Sequence, residues 1–379
     1  MFGGRWNHRG CILYAVLALT LKTEVCVDCV AYSQSATAST VHLTESGLLS
    51  ATRQKLARDT ASGRFAGAVL IAHNGTPIFA QAYGLADREH TIPNTVSTRF
   101  RIGSMNKMFT AVAILQLAQQ DKLGLEDIVG KYLTDYPNRD VATKVTIHDL
   151  LTHTGGTGDI FGADFDAHRS ELRSLQDYIK LFGNRGLEFE PGSRVEYSNY
   201  GFILLGAIVE KVSGESYYNY VREHIYLPSG MSFSGSEPKE PAIAGLSIGY
   251  TADGVAQGAR PNTELLPYRG TSAGGGYSTV GDLLRFAIAV QRHRLLNAHY
   301  TELLTVGKVV VQDGRIASAF TDYSVNGIRS YGIAGGSFGM NGALEVFPTS
   351  GYVVVVLANM DPPAAEQMAL FLSERLPEK

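Results

Sequence analysis

The sequence predicts an α/β protein: an antiparallel sheet flanked by helices, carrying a mainly helical lobe. Three observations predict it. A helical stretch followed by a hairpin opens the body of the chain, a hairpin followed by a helical stretch closes it, and the middle is dominated by helical, apolar segments.

Taken in order, residues 1–38 have the layout of an export signal. Arg5 and Arg9 precede an apolar run from Cys11 to Leu21, and Ala36-Thr37-Ala38 offers small residues for cleavage. Lys22, Glu24 and Asp28 interrupt that order, and the run falls short of the about 20 apolar residues of a membrane span. Export to a periplasm or the exterior is the expectation, with a retained N-terminal anchor as the alternative. All three cysteines, Cys11, Cys26 and Cys29, lie in this leader, so the body has no disulfide framework.

Residues 44–60 pattern as a first helix. Phe65 to Ala72 and Pro77 to Tyr83 are β-prone runs joined through Asn74-Gly75, a strong hairpin signal. Met108 to Gln120 is apolar on every side, which predicts a buried helix rather than a surface one. Tyr200 to Val212 and Thr279 to Val290 are further helices, the latter capped by Thr279 with Asp282 at the capping-box position. Leu344 to Phe347 and Tyr352 to Leu357 form a second hairpin, and Pro363 to Leu376 a closing helix. The organisation predicted is an α/β domain from residues 40–105 and 270–379, with residues 106–269 as the helical insertion.

The 379 residues are 45% hydrophobic and 18% charged, enough for a substantial core. A formal charge of −3 gives no electrostatic ground for nucleic acid as a partner. The histidines are scattered, with no H-E-x-x-H and no cysteine partners in the body, so neither a metal nor another cofactor is expected.

The chemistry concentrates in two motifs. Ser104-Met105-Asn106-Lys107 follows the β-prone Arg99–Ile102 and opens the buried helix, a spacing that puts Ser104 and Lys107 on one helical face. A lysine buried there has a lowered pKa and can accept a serine proton. A second S-x-x-K, Ser236 to Lys239, contains Pro238 and lacks a buried helix. Tyr197-Ser198-Asn199 lies between Pro191-Gly192 and the helix from Tyr200. Its phenol, held partly as phenolate beside a lysine, would serve as a base or proton relay. Its amide would bond both the lysine and a substrate carbonyl. Tyr136-Pro137-Asn138 and Tyr217-Tyr218-Asn219 repeat the pattern without that context. His153 is expected to be a buried, hydrogen-bonded histidine. Gly335-x-Ser337-x-Gly339 and Gly245-x-Ser247-x-Gly249 lack the following helix that a nucleophile elbow requires.

The order Ser104-x-x-Lys107, Leu150-Leu151-Thr152-His153-Thr154-Gly155, Tyr197-x-Asn199 and Gly274-Gly275-Gly276-Tyr277-Ser278-Thr279-x-x-Asp282-Leu283 resembles the class C β-lactamase-related serine hydrolases. That group includes family VIII esterases, D-aminopeptidases and penicillin-binding D,D-peptidases. The resemblance covers residues 45–375. It implies a β-lactamase/penicillin-binding-protein fold with a sheet of five or more strands, acylation of Ser104 and deacylation by water. It also implies an oxyanion hole from the backbone N–H groups of Ser104 and Gly336. Such proteins carry a third motif, commonly Lys-Thr-Gly or His-x-Gly, on a strand lining the site. Here that strand reads Ile333-Ala334-Gly335, so a side chain that could engage a substrate carboxylate is replaced by an apolar one. Small esters, amides or lactams are the expected substrates, with esters favoured over β-lactams or D,D-peptides. An acyltransferase on the same site, or a weakened pseudoenzyme with a binding role, stands as the alternative. Retention of Ser104, Lys107, Tyr197 and Asn199 together argues against the pseudoenzyme.

Overall fold

The computed structural model describes residues 42–252, 258–312 and 314–377. The leader expected over residues 1–38 lies outside them. Among the described residues, no helix is long and apolar enough to cross a membrane.

Helix α1 (Glu45–Ala61) starts at Thr44, whose hydroxyl accepts from the Gly47 nitrogen. Strands β1 (Gly67–His73) and β2 (Thr76–Tyr83) reverse at Asn74 and Gly75, with φ of 51° and 80°. Two adjacent positive φ angles are what an Asn-Gly hairpin supplies. Helices α2 (Lys107–Gln119), α3 (Asn199–Ser213) and α4 (Val280–Gln291) stand in the middle of the chain with shorter helical turns between them. Then come β3 (Val309–Val311), β4 (Gly314–Ile316), β5 (Thr321–Val325), β6 (Ile328–Ser337), β7 (Met340–Phe347), β8 (Tyr352–Ala358) and helix α5 (Ala364–Ser373).

The eight strands form one antiparallel sheet in the order β2-β1-β8-β7-β6-β5-β4-β3. The first strand of the opening hairpin and the last strand of the closing one pair side by side, second and third from the β2 edge, with Gly67 opposite Ala358 and His73 opposite Tyr352. Both faces are covered, which is why β8 reads Tyr-Val-Val-Val-Val-Leu-Ala and is buried throughout. Leu70, Ile333, Leu344 and Val355 face the core shared with α2, α3 and α4, while Val69, Ala343 and Val356 face α1 and α5. Helix α5 is three residues shorter at its C-terminal end than the sequence suggested, and β7 begins four residues earlier.

Helix α2 is the axis of the helical side. Every residue from Lys107 to Ala118 is buried. Phe109 packs edge-on against Tyr226 and Phe286, each with ring centroids 5.0 Å apart.

One local expectation is corrected. Thr279 caps α4 as foreseen, accepting from the Asp282 nitrogen at 3.1 Å, but Asp282 does not close a capping box. Its fully buried carboxylate instead accepts from the Phe233 nitrogen at 2.7 Å, the Ser234 hydroxyl at 2.8 Å and Arg285 at 2.8 Å. The loop at 233–234 presents two part-buried donors to the carboxylate, and satisfying them outweighs one helix-end N–H. Asp282→Ala should therefore lower stability by about 2–4 kcal/mol, whereas Arg285→Ala, removing a half-exposed partner, should cost under about 1 kcal/mol. Urea unfolding of the two variants measures both, and equal losses would show that the loop donors are not what Asp282 holds.

Candidate active site

Ser104 sits on a turn that glycines permit. The strand Phe100–Gly103 ends at Gly103, whose φ of 50° lies where a side chain is strained. A Cβ on Gly103 would stand 2.8 Å from the Gly336 nitrogen, and one on Gly335 would stand 2.6 Å from the Ser104 nitrogen. The turn thus packs backbone against backbone on β6. Ser104–Asn106 form a 3₁₀ turn, and α2 begins at Lys107. The tighter turn leaves Ser104 half-buried at the entrance and sends Lys107 inward.

Lys107 is 2% exposed and has no ion pair among the described residues. Its Nζ lies 2.5 Å from the Ala273 carbonyl oxygen, 2.7 Å from Asn199 Oδ1 and 3.3 Å from Ser104 Oγ. The Tyr197 and Phe202 rings present their faces to it at 4.7 and 5.5 Å. Burial pushes its pKa down from 10.5 to about 7, with the negative charge of Asp159 opposing the shift. A neutral amine has two hydrogens and one lone pair. In the neutral form, hydrogens given to the two carbonyl oxygens leave the lone pair free to face the Ser104 hydroxyl.

Tyr197 is the other neighbour of Ser104. Its hydroxyl donates to Ser104 Oγ at 2.6 Å. The expected phenolate is not what this geometry supports. Lys107 lies over the ring face rather than at the oxygen, and burial pushes the phenol well above its usual range, with the Ser104 hydrogen bond opposing. The Tyr197 hydroxyl thus donates to Ser104, and Lys107 is the neighbour whose pKa is lowered toward the neutral form.

The ring of His153 backs Tyr197, with centroids 4.6 Å apart, and touches Phe202 at 5.1 Å. Its Nδ1 accepts from the Ser198 nitrogen at 3.1 Å. Burial, with Lys107 adding to the shift, pushes its pKa down to about 3, so it is neutral at ordinary pH and positions Tyr197 rather than exchanging protons.

Asn199 begins α3 and is buried. Its oxygen serves Lys107, and its amide nitrogen donates to both carboxylate oxygens of Asp159, at 3.0 and 2.9 Å. Asp159 and the Ala273 carbonyl escape the sequence reading. The first ends the run Thr154-Gly155-Gly156-Thr157-Gly158-Asp159, four residues beyond the Leu150–Gly155 motif. The second is a main-chain atom and leaves no mark in the side-chain pattern.

The strand expected to carry the third motif lies within β6. Ile333 is 7% exposed and joins the core under α2, Gly335 faces Ser104, and Ala334 points to the opposite face, toward the core under α5. β5 pairs with β6 as far as Gly332, so among the described residues no strand pairs with Ile333–Ser337 on that edge. Asn341, fully buried on β7, holds this stretch by donating to the Gly335 oxygen at 3.1 Å and accepting from the Ala365 nitrogen at 2.6 Å.

The remaining serines and tyrosines fall elsewhere. Ser337 ends β6 at a turn, and Ser247 lies in a loop. Tyr136 pairs its hydroxyl with Tyr200 at 2.9 Å, and Tyr217 with Thr110 at 2.7 Å, both buried. Ser236–Lys239 forms no helix.

The Beta-lactamase family profile matches residues 52–376. The chain belongs to the Beta-lactamase family. It is 31% identical to the putative penicillin-binding protein PbpX of Bacillus subtilis over 77% of this chain and 70% of that one. It is 28% identical to penicillin-binding protein 4* of the same organism, over 77% of this chain and 62% of that one. Among solved structures, a penicillin-binding protein from Bacillus halodurans superposes with a TM-score of 0.76 at 35% identity, covering 83% of this chain and 98% of the other. As a Beta-lactamase family member, the chain has the fold and the serine-hydrolase class of that family.

The lowered lysine gives a signed pH prediction. Proton transfer to Lys107 needs the neutral amine, so labelling of Ser104 by a neutral acylating reagent should rise with pH through a midpoint near 7. Folding should respond in the same direction. The folded pKa lies below the unfolded one, so between about pH 7 and the unfolded value of 10.5 the unfolded state binds more protons and stability climbs with pH. Lys107→Met should lose that pH-dependent increment in chemical unfolding measured at pH 7 and pH 10. An identical pH slope in both proteins would place the lysine pKa outside this window.

Proposed function

We propose that the chain acylates Ser104 and favours short neutral esters over β-lactams and D,D-peptides. The observation that carries this is the pairing of a buried Lys107, its Nζ 3.3 Å from Ser104 Oγ, with an apolar Ile333 on the strand beside them. Lys107 takes the Oγ proton as Oγ attacks the ester carbonyl. The N–H groups of Ser104 and Gly336 receive the developing oxyanion. Tyr197, already donating to Oγ, hands its proton to the departing alcohol oxygen and is reprotonated from Lys107. Water then attacks the acyl-enzyme with the same pair as base and acid, giving a carboxylic acid and restoring Ser104. Asn199 orients the lysine.

A β-lactam or a D-Ala-terminated peptide brings a carboxylate, and an apolar residue at position 333 offers it no charge-assisted hydrogen bond. Such a bond contributes about 1.5–3 kcal/mol, roughly ten- to a hundredfold in rate. p-Nitrophenyl butyrate should be turned over at least about tenfold more efficiently than nitrocefin. Ile333→His should raise nitrocefin turnover more than butyrate turnover. A fluorophosphonate should label Ser104, and Ser104→Ala should abolish both labelling and turnover. Lys107→Ala, Tyr197→Phe and the double variant should show similar, non-additive losses. Nitrocefin hydrolysis as fast as that of the ester would overturn the preference, and labelling of Ser337 would overturn the mechanism.

A further inference from the structure

Asn199 is bonded on two sides. Its Oδ1 accepts from Lys107 Nζ at 2.7 Å, and its Nδ2 donates to both carboxylate oxygens of Asp159, at 3.0 and 2.9 Å. A terminal amide is nearly symmetric in shape, so its hydrogen-bond partners, not packing, decide which atom points inward. Asp159 makes that choice. An ionised carboxylate only accepts, so it takes the NH2 group and leaves the oxygen to face the lysine. The reversed amide would set its oxygen against the carboxylate. Its N–H groups would then repel the Lys107 ammonium, or occupy the amine lone pair that Ser104 needs.

Asp159 is itself fixed. Its Oδ1 accepts from the Ile160 nitrogen at 2.6 Å, and its backbone oxygen accepts from Arg185, also at 2.6 Å. That guanidinium pairs with the Asp164 carboxylate at 3.2 Å, and Glu188 lies against Gly158. On the lysine side, burial pushes Tyr197 up and His153 down to about 3, so both are neutral at ordinary pH. Asp159 is the charge that opposes the burial shift of Lys107. We propose that Asp159 is a positioning residue for acylation, locking the Asn199 amide oxygen onto Lys107 and so holding the amine in place beside Ser104. The role requires no contact between Asp159 and substrate. It rests on Ser104 being the acylated residue, and it adds a further member to the set that prepares the base.

The test compares Asp159→Ala, Asn199→Ala and the double variant, by p-nitrophenyl butyrate turnover and by fluorophosphonate labelling of Ser104 across pH. Asp159→Ala should lower kcat about tenfold, the size of one hydrogen bond to a charged group, with KM little changed. Removing Asp159 takes away a negative charge and frees the amide to turn, and both changes disfavour the ammonium. The labelling midpoint should therefore fall below the wild-type value near 7. The double variant should be no slower than Asn199→Ala alone, because Asp159 acts through that amide. Losses that multiply in the double variant would overturn the proposal. So would a slower Asp159→Ala with its midpoint unmoved, since a carboxylate that only steadies its loop lowers the active fraction equally at every pH. A loss confined to KM would point to substrate contact and overturn it as well. Should Asp159→Ala fail to fold, Asp159→Asn keeps the acceptor for the Ile160 nitrogen and lacks the charge, and an unmoved midpoint there is equally decisive against the proposal. A wild type left unlabelled at Ser104 would remove the acylation reading and this proposal with it, whereas a labelled wild type with multiplying losses removes the proposal alone.

Discussion

The structure depends on a lysine buried without a counterion. Lys107 begins the most deeply buried helix of the molecule and sits 2% exposed among the side chains that link the helical lobe to the sheet. An isolated ammonium in such a place is strongly unfavourable, so the group sheds its proton more easily and the surroundings must supply dipoles instead of charge. Those dipoles come from separate parts of the chain, Asn199 at the start of α3 and the Ala273 carbonyl ahead of the glycine run at 274–276. Holding one amine thus fixes the relative placement of α2, α3 and the return segment, and the same placement brings Tyr197 to Ser104 two residues before Asn199.

The sheet contributes by coming close rather than by reaching in with side chains. Gly335 on β6 lies so near the Ser104 and Met105 nitrogens that a Cβ would stand 2.6 and 2.5 Å from them. Any other residue there would push the nucleophile turn off the strand. Asn341 secures the approach from the neighbouring strand by holding the Gly335 oxygen, and it ties that strand to the first turn of α5 through the Ala365 nitrogen. The C-terminal strands and helix α5 therefore also set the position of the β6 backbone beside Ser104.

Much of this was legible, and the exceptions have physical reasons. Asn74-Gly75 marked the first hairpin correctly. The identical dipeptide at Asn326-Gly327, with φ of 50° and 81°, joins β5 to β6, where the flanking strands are short or lined with polar residues and glycine and give a weaker sequence signal. Asn341-Gly342 is the same dipeptide inside a strand. There Asn341 is consumed by two buried hydrogen bonds, and Gly342 leaves room for Met105, whose sulfur would stand 2.6 Å from a Cβ. Turn propensity yields when tertiary partners occupy both residues. At the site, the side chains with distinctive spacing, Ser104, Lys107, Tyr197 and Asn199, were readable. The Ala273 carbonyl was not, since any residue carries one. The protonation state of Tyr197 also needed the structure, because it turns on whether the lysine meets the ring or the oxygen.

The separation between Lys107 and Asp159 is the last piece of the electrostatic design. A carboxylate in direct contact with the amine would stabilise the ammonium, restore the high pKa and remove the base. With no carboxylate nearby, burial would act unopposed and drive the pKa still lower, weakening the amine as a proton acceptor. Asp159 is placed one amide away, bonded to Asn199, which in turn faces Lys107. Its field opposes the burial shift without cancelling it, and the pKa settles at about 7. The Asn199 amide keeps the two charges apart while pinning both, with its oxygen on the amine and its nitrogen on the carboxylate. Support of the amine and the distance of the opposing charge are two consequences of one side chain's placement.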